Sequence, residues 1–117
     1  MIKIAITDDH PLLSEGLKNI LSKEEDFEVV DCFADAKTML QYLSNAAVDI
    51  LLLDINLPDA NSMDLLTDLK SSYPEMKILM LSVHNEFAVI NSVLNLGANG
   101  YIQKNSSVAE ILEGINT

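Results

Sequence analysis

The chain has 117 residues, with 18 Asp and Glu against seven Lys and no Arg, and a net charge of −11 at pH 7. A chain of this length builds one domain. The negative charge and the absence of guanidinium groups argue against direct nucleic-acid binding by this segment. A hydrophobic fraction of 49% predicts a folded protein and excludes an acidic disordered tail.

Neither the apolar runs nor the single cysteine indicates a membrane or secreted protein. No uncharged stretch is apolar enough to span a bilayer, and the first apolar run is too short for a signal peptide. Cys32 is alone, so the chain cannot build a disulfide framework or a cysteine-rich zinc site, and we expect it to be a small apolar residue in a strand. The sequence therefore predicts a cytoplasmic protein that does not bind membranes.

Short apolar runs alternate along the chain with segments whose apolar residues have helical spacing. This alternation is typical of a parallel sheet covered by helices on both faces. Five such pairs predict an α/β fold with a five-stranded parallel sheet and five helices, in one domain over residues 1–117. The predicted strands are 2–7, 27–33, 49–54, 77–82 and 100–103.

Capping and breaking residues set the expected ends of the helices. Pro11 suits the first turn of the first helix, and Asp35 is a good N-cap for the second. The third helix must end before Pro74, and the fourth should run from about Glu86 to a stop at Gly97. The inward stripes of the fourth and fifth helices are expected to be Ile90, Val93 and Leu94, and Val108, Ile111, Leu112 and Ile115.

Polar residues end the predicted strands, where ligands bind in open parallel sheets. Asp8 and Asp9 follow the first strand, Asp54 ends the third, Ser82 ends the fourth, and Lys104 follows the fifth. Three converging carboxylates repel one another, so they either change their pKa values or hold a hard cation. Oxygen ligands of this kind suit Mg²⁺.

These residues together form a possible phosphoryl-transfer site. The Asp54 carboxylate can accept a phosphoryl group if a metal and a cation such as Lys104 neutralise the charge of the phosphoryl oxygens. The Ser82 hydroxyl could donate a hydrogen bond to the same group. Taken singly, each residue has a plainer interpretation: the Asp8-Asp9 pair as a helix cap, Ser82 as a turn residue and Lys104 as a surface lysine.

Four stretches resemble the receiver domain of two-component response regulators, and the resemblance covers essentially the whole chain. The amino-acid sequence of the first and last stretches is similar to that of the NarL/FixJ (LuxR-type) branch, whose members usually carry a C-terminal helix-turn-helix output domain. The resemblance implies a flavodoxin-like (βα)5 receiver fold, with the output domain absent from this chain. The stretches are Asp8-Asp9-His10-Pro11, Leu53-Asp54-Ile55-Asn56-Leu57-Pro58, Leu81-Ser82-Val83 and Gly97-Ala98-Asn99-Gly100-Tyr101-Ile102-Gln103-Lys104.

The resemblance also implies a function and a role for each site residue. A sensor histidine kinase would phosphorylate the domain in a Mg²⁺-dependent reaction, and the domain would change conformation, form a homodimer and control transcription through its output domain. It would catalyse only its own phosphorylation and slow dephosphorylation. The implied roles are Asp54 as phosphoacceptor, Asp8, Asp9, Asp54 and the Asn56 carbonyl as the metal site, Ser82 and Lys104 as phosphoryl ligands, and Ser82 and Tyr101 as switch residues.

Two positions depart from the family pattern, and three alternatives stay open. Ser62 stands where Gly is common and Asn105 where Pro is common, which leaves the turn at each place undecided. His10 and His84 are expected to be loop residues, since Mg²⁺ prefers oxygen. The alternatives are an unphosphorylated protein-binding scaffold, a haloacid-dehalogenase-like phosphatase, and a flavodoxin-like cofactor binder.

Overall fold

The computed structural model describes residues 2–55, 57–82, 87–103 and 110–111, without the side chains of residues 62, 82 and 87–90. Its strands form one parallel sheet in the order β2-β1-β3-β4-β5, which is the strand order of flavodoxin-like doubly wound sheets. The elements are β1 (Ile2–Thr7), α1 (Pro11–Ser22), β2 (Phe27–Phe33), α2 (Ala36–Leu43), β3 (Ile50–Asp54), α3 (Ser62–Ser72), β4 (Lys77–Ser82), α4 (Phe87–Asn95) and β5 (Gly100–Gln103).

All five predicted strands are present, and one of them begins a residue later than predicted. β3 starts at Ile50, but Asp49 still continues the pairing with β1. The Asp49 N–H donates to the Lys3 carbonyl oxygen over 2.9 Å, and Asp49 Oδ2 accepts from the Lys3 N–H over 2.8 Å. The Asp49 carboxylate thus accepts the hydrogen bond that a backbone carbonyl of β3 would otherwise accept. Regular pairing begins one residue later, but Asp49 and Lys3 remain in contact.

Helices cover both faces of the sheet, as the continuously apolar strands predicted. Alternate residues of β3 point to opposite sides, so that Leu51 and Leu53 pack in one core cluster and Ile50 and Leu52 in the other. The first cluster contains buried residues of α2, α3 and α4, and the second contains those of α1 together with Ile111. The two clusters pack the sheet between its helices and so position the strands whose carboxyl ends carry the polar residues.

Four of the predicted helices lie within the described residues, and none of these is long and apolar enough to cross a membrane. Glu110 and Ile111 are helical, and the rest of the predicted fifth helix lies outside the described residues. Asp35 caps α2 as predicted, since its side chain accepts from the Thr38 N–H over 2.8 Å. α3 ends at Ser72, before Pro74, as predicted.

The predicted inward stripe of α4 is confirmed at Val93 and wrong at Leu94, and the Ile90 side chain lies outside the described residues. Val93 is completely buried, but Leu94 is 37% exposed. Successive helical residues differ by about 100° in direction, so a helix that points Val93 at the sheet turns Leu94 partly toward solvent. The predicted stop at Gly97 is confirmed: its φ is 112°, and the Ala98 N–H donates to the Val93 carbonyl oxygen over 3.0 Å.

Candidate functional site

Two hydrogen bonds to the Asp8 backbone, one from its N–H and one to its carbonyl oxygen, hold this residue at the end of β1. Its N–H donates to the Phe33 carbonyl oxygen of β2 over 2.9 Å, which continues the pairing of the strands by one residue. The Ser14 hydroxyl, itself buried in α1, donates to the Asp8 carbonyl oxygen over 3.4 Å. These contacts lie where the chain turns from β1 into α1, and Asp8 is only 2% exposed.

Asp54 is the last residue of β3 and is equally buried, at 1% exposure. It pairs with Leu81 of β4, and the next N–H, that of Ile55, donates to the Leu81 carbonyl oxygen over 3.1 Å. Because Thr7 of β1 pairs with Leu53 of β3, the residues that follow these two, Asp8 and Asp54, lie at adjacent strand ends. The sheet therefore delivers two buried carboxylates to one point.

The structure brings together three acids that the sequence placed at strand ends. One carboxylate oxygen each of Asp8, Asp9 and Asp54 lies within 4.8 Å of the others, in a group that also includes a ring nitrogen of His10. Asp9 is more open than the other two, since its side chain is 37% exposed. Asp8 and Asp54 thus form the buried side of the cluster, and Asp9 forms its solvent-facing side.

This donor set fits a hard divalent cation such as Mg²⁺. Carboxylate oxygens are its preferred ligands, and it usually takes one or two of them and retains several waters. Two carboxylates buried beside each other repel strongly, and a cation bound between them would offset that repulsion. Asp9 lies on the side of the cluster that is open to solvent, where the metal's waters would bind.

His10 lies against the acidic cluster, although the sequence predicted only a loop residue at this position. The His10 ring Nδ1 lies 2.7 Å from Asp8 Oδ1 and 3.1 Å from Asp9 Oδ1, and its backbone N–H donates to Asp8 Oδ1 over 2.8 Å. His10 precedes α1 and makes no side-chain cap for it. Its position two residues after Asp8 was the available signal, because an Asp side chain often accepts from the N–H two residues on.

The structure says less about the other predicted site residues. Ser82 ends β4 beside Asp54, and its side chain is not described; Asn56, His84, Lys104 and Asn105 lie outside the described residues. Tyr101 lies on β5, an edge strand, and is 41% exposed. Ser62 is the first residue of α3, after the N-cap Asn61, and no described non-glycine residue needs a left-handed backbone.

Residues 4–116 match the family model of the response regulator receiver domain. The chain belongs to this family. The family prediction and the predicted receiver fold are therefore confirmed, including the resemblance to regulators of the NarL type.

Named relatives agree with this receiver assignment. The transcriptional regulatory protein DegU of Brevibacillus brevis is 37% identical over 114 residues, which cover 97% of this chain and 48% of DegU. This receiver domain therefore spans about half the length of that relative. The solved receiver domain of NarL from Mycobacterium tuberculosis is 28% identical with a TM-score of 0.90, and the match covers 98% of this chain and 93% of that one. A CheY-like receiver from Methanospirillum hungatei JF-1 is 31% identical with a TM-score of 0.89, and the match covers 99% and 91% of the two chains.

Proposed function

We propose that this receiver domain accepts a phosphoryl group on the Asp54 carboxylate from a sensor histidine kinase, in a reaction that requires Mg²⁺. The observation that supports this most directly is the convergence of Asp8, Asp9 and Asp54 within 4.8 Å at the carboxyl edge of the sheet. Family membership supplies the reaction type. A scaffold that is never phosphorylated would not need two buried carboxylates beside a third.

Each acid has a distinct part in the proposed reaction. Asp54 is the nucleophile: one of its oxygens forms a bond to phosphorus while the phosphorus–nitrogen bond of the donor imidazole breaks. Asp8 and Asp9 would hold the metal, Asp9 directly and the buried Asp8 mainly through water. When bound, Mg²⁺ neutralises negative charge on the phosphoryl oxygens and on the three carboxylates.

The remaining roles come from the family pattern. The Asn56 backbone carbonyl would be a further metal ligand, and the Ser82 hydroxyl and the Lys104 ammonium would bind the phosphoryl oxygens. Ser82 ends β4 at the residue after the Asp54–Leu81 pair, so its backbone lies beside the acceptor. Tyr101, exposed on β5, is the aromatic switch residue that would move inward when Ser82 engages the phosphoryl group.

We further propose that the phosphorylated domain forms a homodimer and controls transcription in the cytoplasm through a DNA-binding domain outside this segment. The name of DegU, a transcriptional regulatory protein, supports this, as does its additional length. The net charge of −11 makes direct nucleic-acid contact by this segment unfavourable.

Phosphorylation by a small phosphodonor tests the central proposal. Intact-mass spectrometry of wild type incubated with acetyl phosphate and Mg²⁺ should show one added phosphoryl group, and a chelator should prevent it. Asp54→Asn should abolish the addition, whereas Asp68→Asn, on the exposed side of α3, should leave it unchanged. Equal labelling of Asp54→Asn and wild type would overturn the assignment of the phosphoacceptor.

A further inference from the structure

A carboxylate from the loop after β3 is bound to the first turn of α2. Asp59 Oδ1 accepts from the Ala36 N–H over 2.9 Å, and Asp59 Oδ2 accepts from the Lys37 N–H over 3.1 Å. The first N–H groups of a helix have no partner within the helix, and they carry its positive partial charge. The Asp59 carboxylate therefore makes two charge-assisted hydrogen bonds with a residue pair more than 20 positions earlier in the chain.

Helix capping alone does not require Asp59. Asp35 already caps α2 in the ordinary way, from the position directly before the helix, and accepts from the Thr38 N–H. Asp59 satisfies the two N–H groups that Asp35 does not reach, and it does so from a different part of the fold. The result is a connection between α2 and the loop that leaves Asp54.

That loop, described at Ile55 and at Leu57–Asn61, is also fixed at both of its ends. The Ile55 N–H donates to the Leu81 carbonyl oxygen, and Leu57 is buried in the core cluster of α2 and α3. At the far end, Asn61 Oδ1 accepts from the Met63 and Asp64 N–H groups of α3 over 2.9 and 3.2 Å. Between these ends Asp59 is exposed, so its two bonds to α2 hold a part of the loop that burial does not.

We propose that Asp59 is a positioning residue for the acidic site. By attaching the exposed part of the loop at Asp59 to α2, it limits the conformations of the loop that leaves Asp54. If this attachment is lost, the loop has more conformations to lose when the metal binds, and the affinity falls. This inference rests on the proposed Mg²⁺-dependent function of Asp8, Asp9 and Asp54.

The two capping aspartates provide a matched comparison for the test. Asp59→Ala and Asp35→Ala each remove one negative charge and one carboxylate from the same helix end, but only Asp59→Ala releases the loop. Calorimetric titration should show Mg²⁺ binding weakened about tenfold in Asp59→Ala, the low end of the effect of groups that support metal ligands. Asp35→Ala should bind Mg²⁺ nearly as wild type does. Asp59→Asn should recover part of the affinity, because its amide oxygen still accepts one N–H bond.

Amide hydrogen exchange shows whether the intended bonds have been removed. The Ala36 and Lys37 N–H groups should exchange faster in Asp59→Ala than in wild type. If they do and Mg²⁺ affinity is unchanged, Asp59 is only a helix cap and the proposal fails. Equal weakening by Asp35→Ala would also overturn it, because the effect would then come from charge or from α2 itself. A wild type that neither binds Mg²⁺ nor accepts a phosphoryl group would instead refute the proposed function.

Discussion

Asn99 is bound to Ile78 through two hydrogen bonds, one from its backbone and one to its side chain. The Asn99 N–H donates to the Ile78 carbonyl oxygen over 2.8 Å, and Asn99 Oδ1 accepts from the Ile78 N–H over 2.9 Å. The same Oδ1 lies 3.1 Å from Lys70 Nζ of α3. One amide oxygen thus connects the α4–β5 turn, β4 and α3.

Asn99→Ala should destabilise the fold because the Ile78 N–H, at a completely buried residue, would lose its acceptor. An unsatisfied buried N–H costs on the order of 1–3 kcal/mol. Urea denaturation of wild type and variant measures this difference. Asn45→Ala is a suitable control, since Asn45 is exposed and its side chain donates only to neighbouring exposed groups, the Gln41 carbonyl oxygen and the Ser44 hydroxyl at the end of α2. A larger loss of stability in Asn45→Ala than in Asn99→Ala would contradict the interpretation.

The Asp35 carboxylate should make the stability of the domain depend on pH. Hydrogen bonds from Thr38 lower the pKa of the Asp35 carboxyl below its ordinary value of 3.8. A carboxyl with a lowered pKa in the folded state stabilises that state above its unfolded pKa, and the contribution disappears as the pH falls through the folded pKa. Acidification from about pH 6 to about pH 3 should therefore reduce the stability advantage of wild type over Asp35→Asn.

Thermal melting at a series of pH values measures this difference. Asp35→Asn retains a side-chain oxygen that can accept from the Thr38 N–H, so the variant removes the titration without removing the cap geometry. A gap in melting temperature between the two proteins that is the same at both ends of the pH range would show that Asp35 charge does not contribute.

Cys32 should be less reactive than an unfolded cysteine at neutral pH. Burial is the main cause that raises the pKa of its thiol; Lys18 opposes it, and Asp31 and Glu15 act in the same direction as burial. The thiolate is the reactive form, so a higher pKa leaves less of it. Alkylation by iodoacetamide across a pH series should have a higher midpoint in the folded protein than in the urea-unfolded chain. Steric shielding would slow the reaction without moving the midpoint, so coincident midpoints would refute the prediction.

The sequence predicted the sheet and the position of the acids because both depend on local pattern. A carboxylate after four apolar residues marks a buried strand end, and the carboxyl ends of parallel strands meet at one edge. Asp54 and the Asp8-Asp9 pair were identified in this way, and the structure places their carboxylates together.

Other contacts depend on the path of loops and could not be predicted from pattern alone. Asp59 reaches Ala36 across 23 positions of sequence, and nothing near Asp59 indicates that a helix end lies beside it. Leu94 fits an inward stripe as well as Val93 does, and only the direction of α4 against the sheet distinguishes them. Predicting such features requires knowledge of how the helices and strands are arranged in space, which the residue pattern of a single sequence does not give.

The buried pair of carboxylates should make the metal-free domain less stable than it could be. Asp8 and Asp54 are both almost completely buried, and their oxygens lie within the 4.8 Å cluster. Asp54→Asn removes one of these charges and keeps the side-chain shape, so the variant should melt at a higher temperature than wild type in the presence of a chelator. The expected gain is on the order of 1 kcal/mol, the Coulomb repulsion of two unit charges about 4 Å apart in a strongly screened environment.

Adding Mg²⁺ should reverse the order of the two melting temperatures or reduce the difference between them. A ligand that binds only the folded state stabilises it in proportion to the logarithm of its concentration above Kd, and wild type retains the full carboxylate set. The melting temperature of wild type should therefore rise more steeply with Mg²⁺ than that of Asp54→Asn, while Asp68→Asn on α3 should follow wild type throughout. If Asp54→Asn melts below wild type in chelator and both respond equally to Mg²⁺, then the Asp54 carboxylate is a net stabilising group and the metal binds elsewhere.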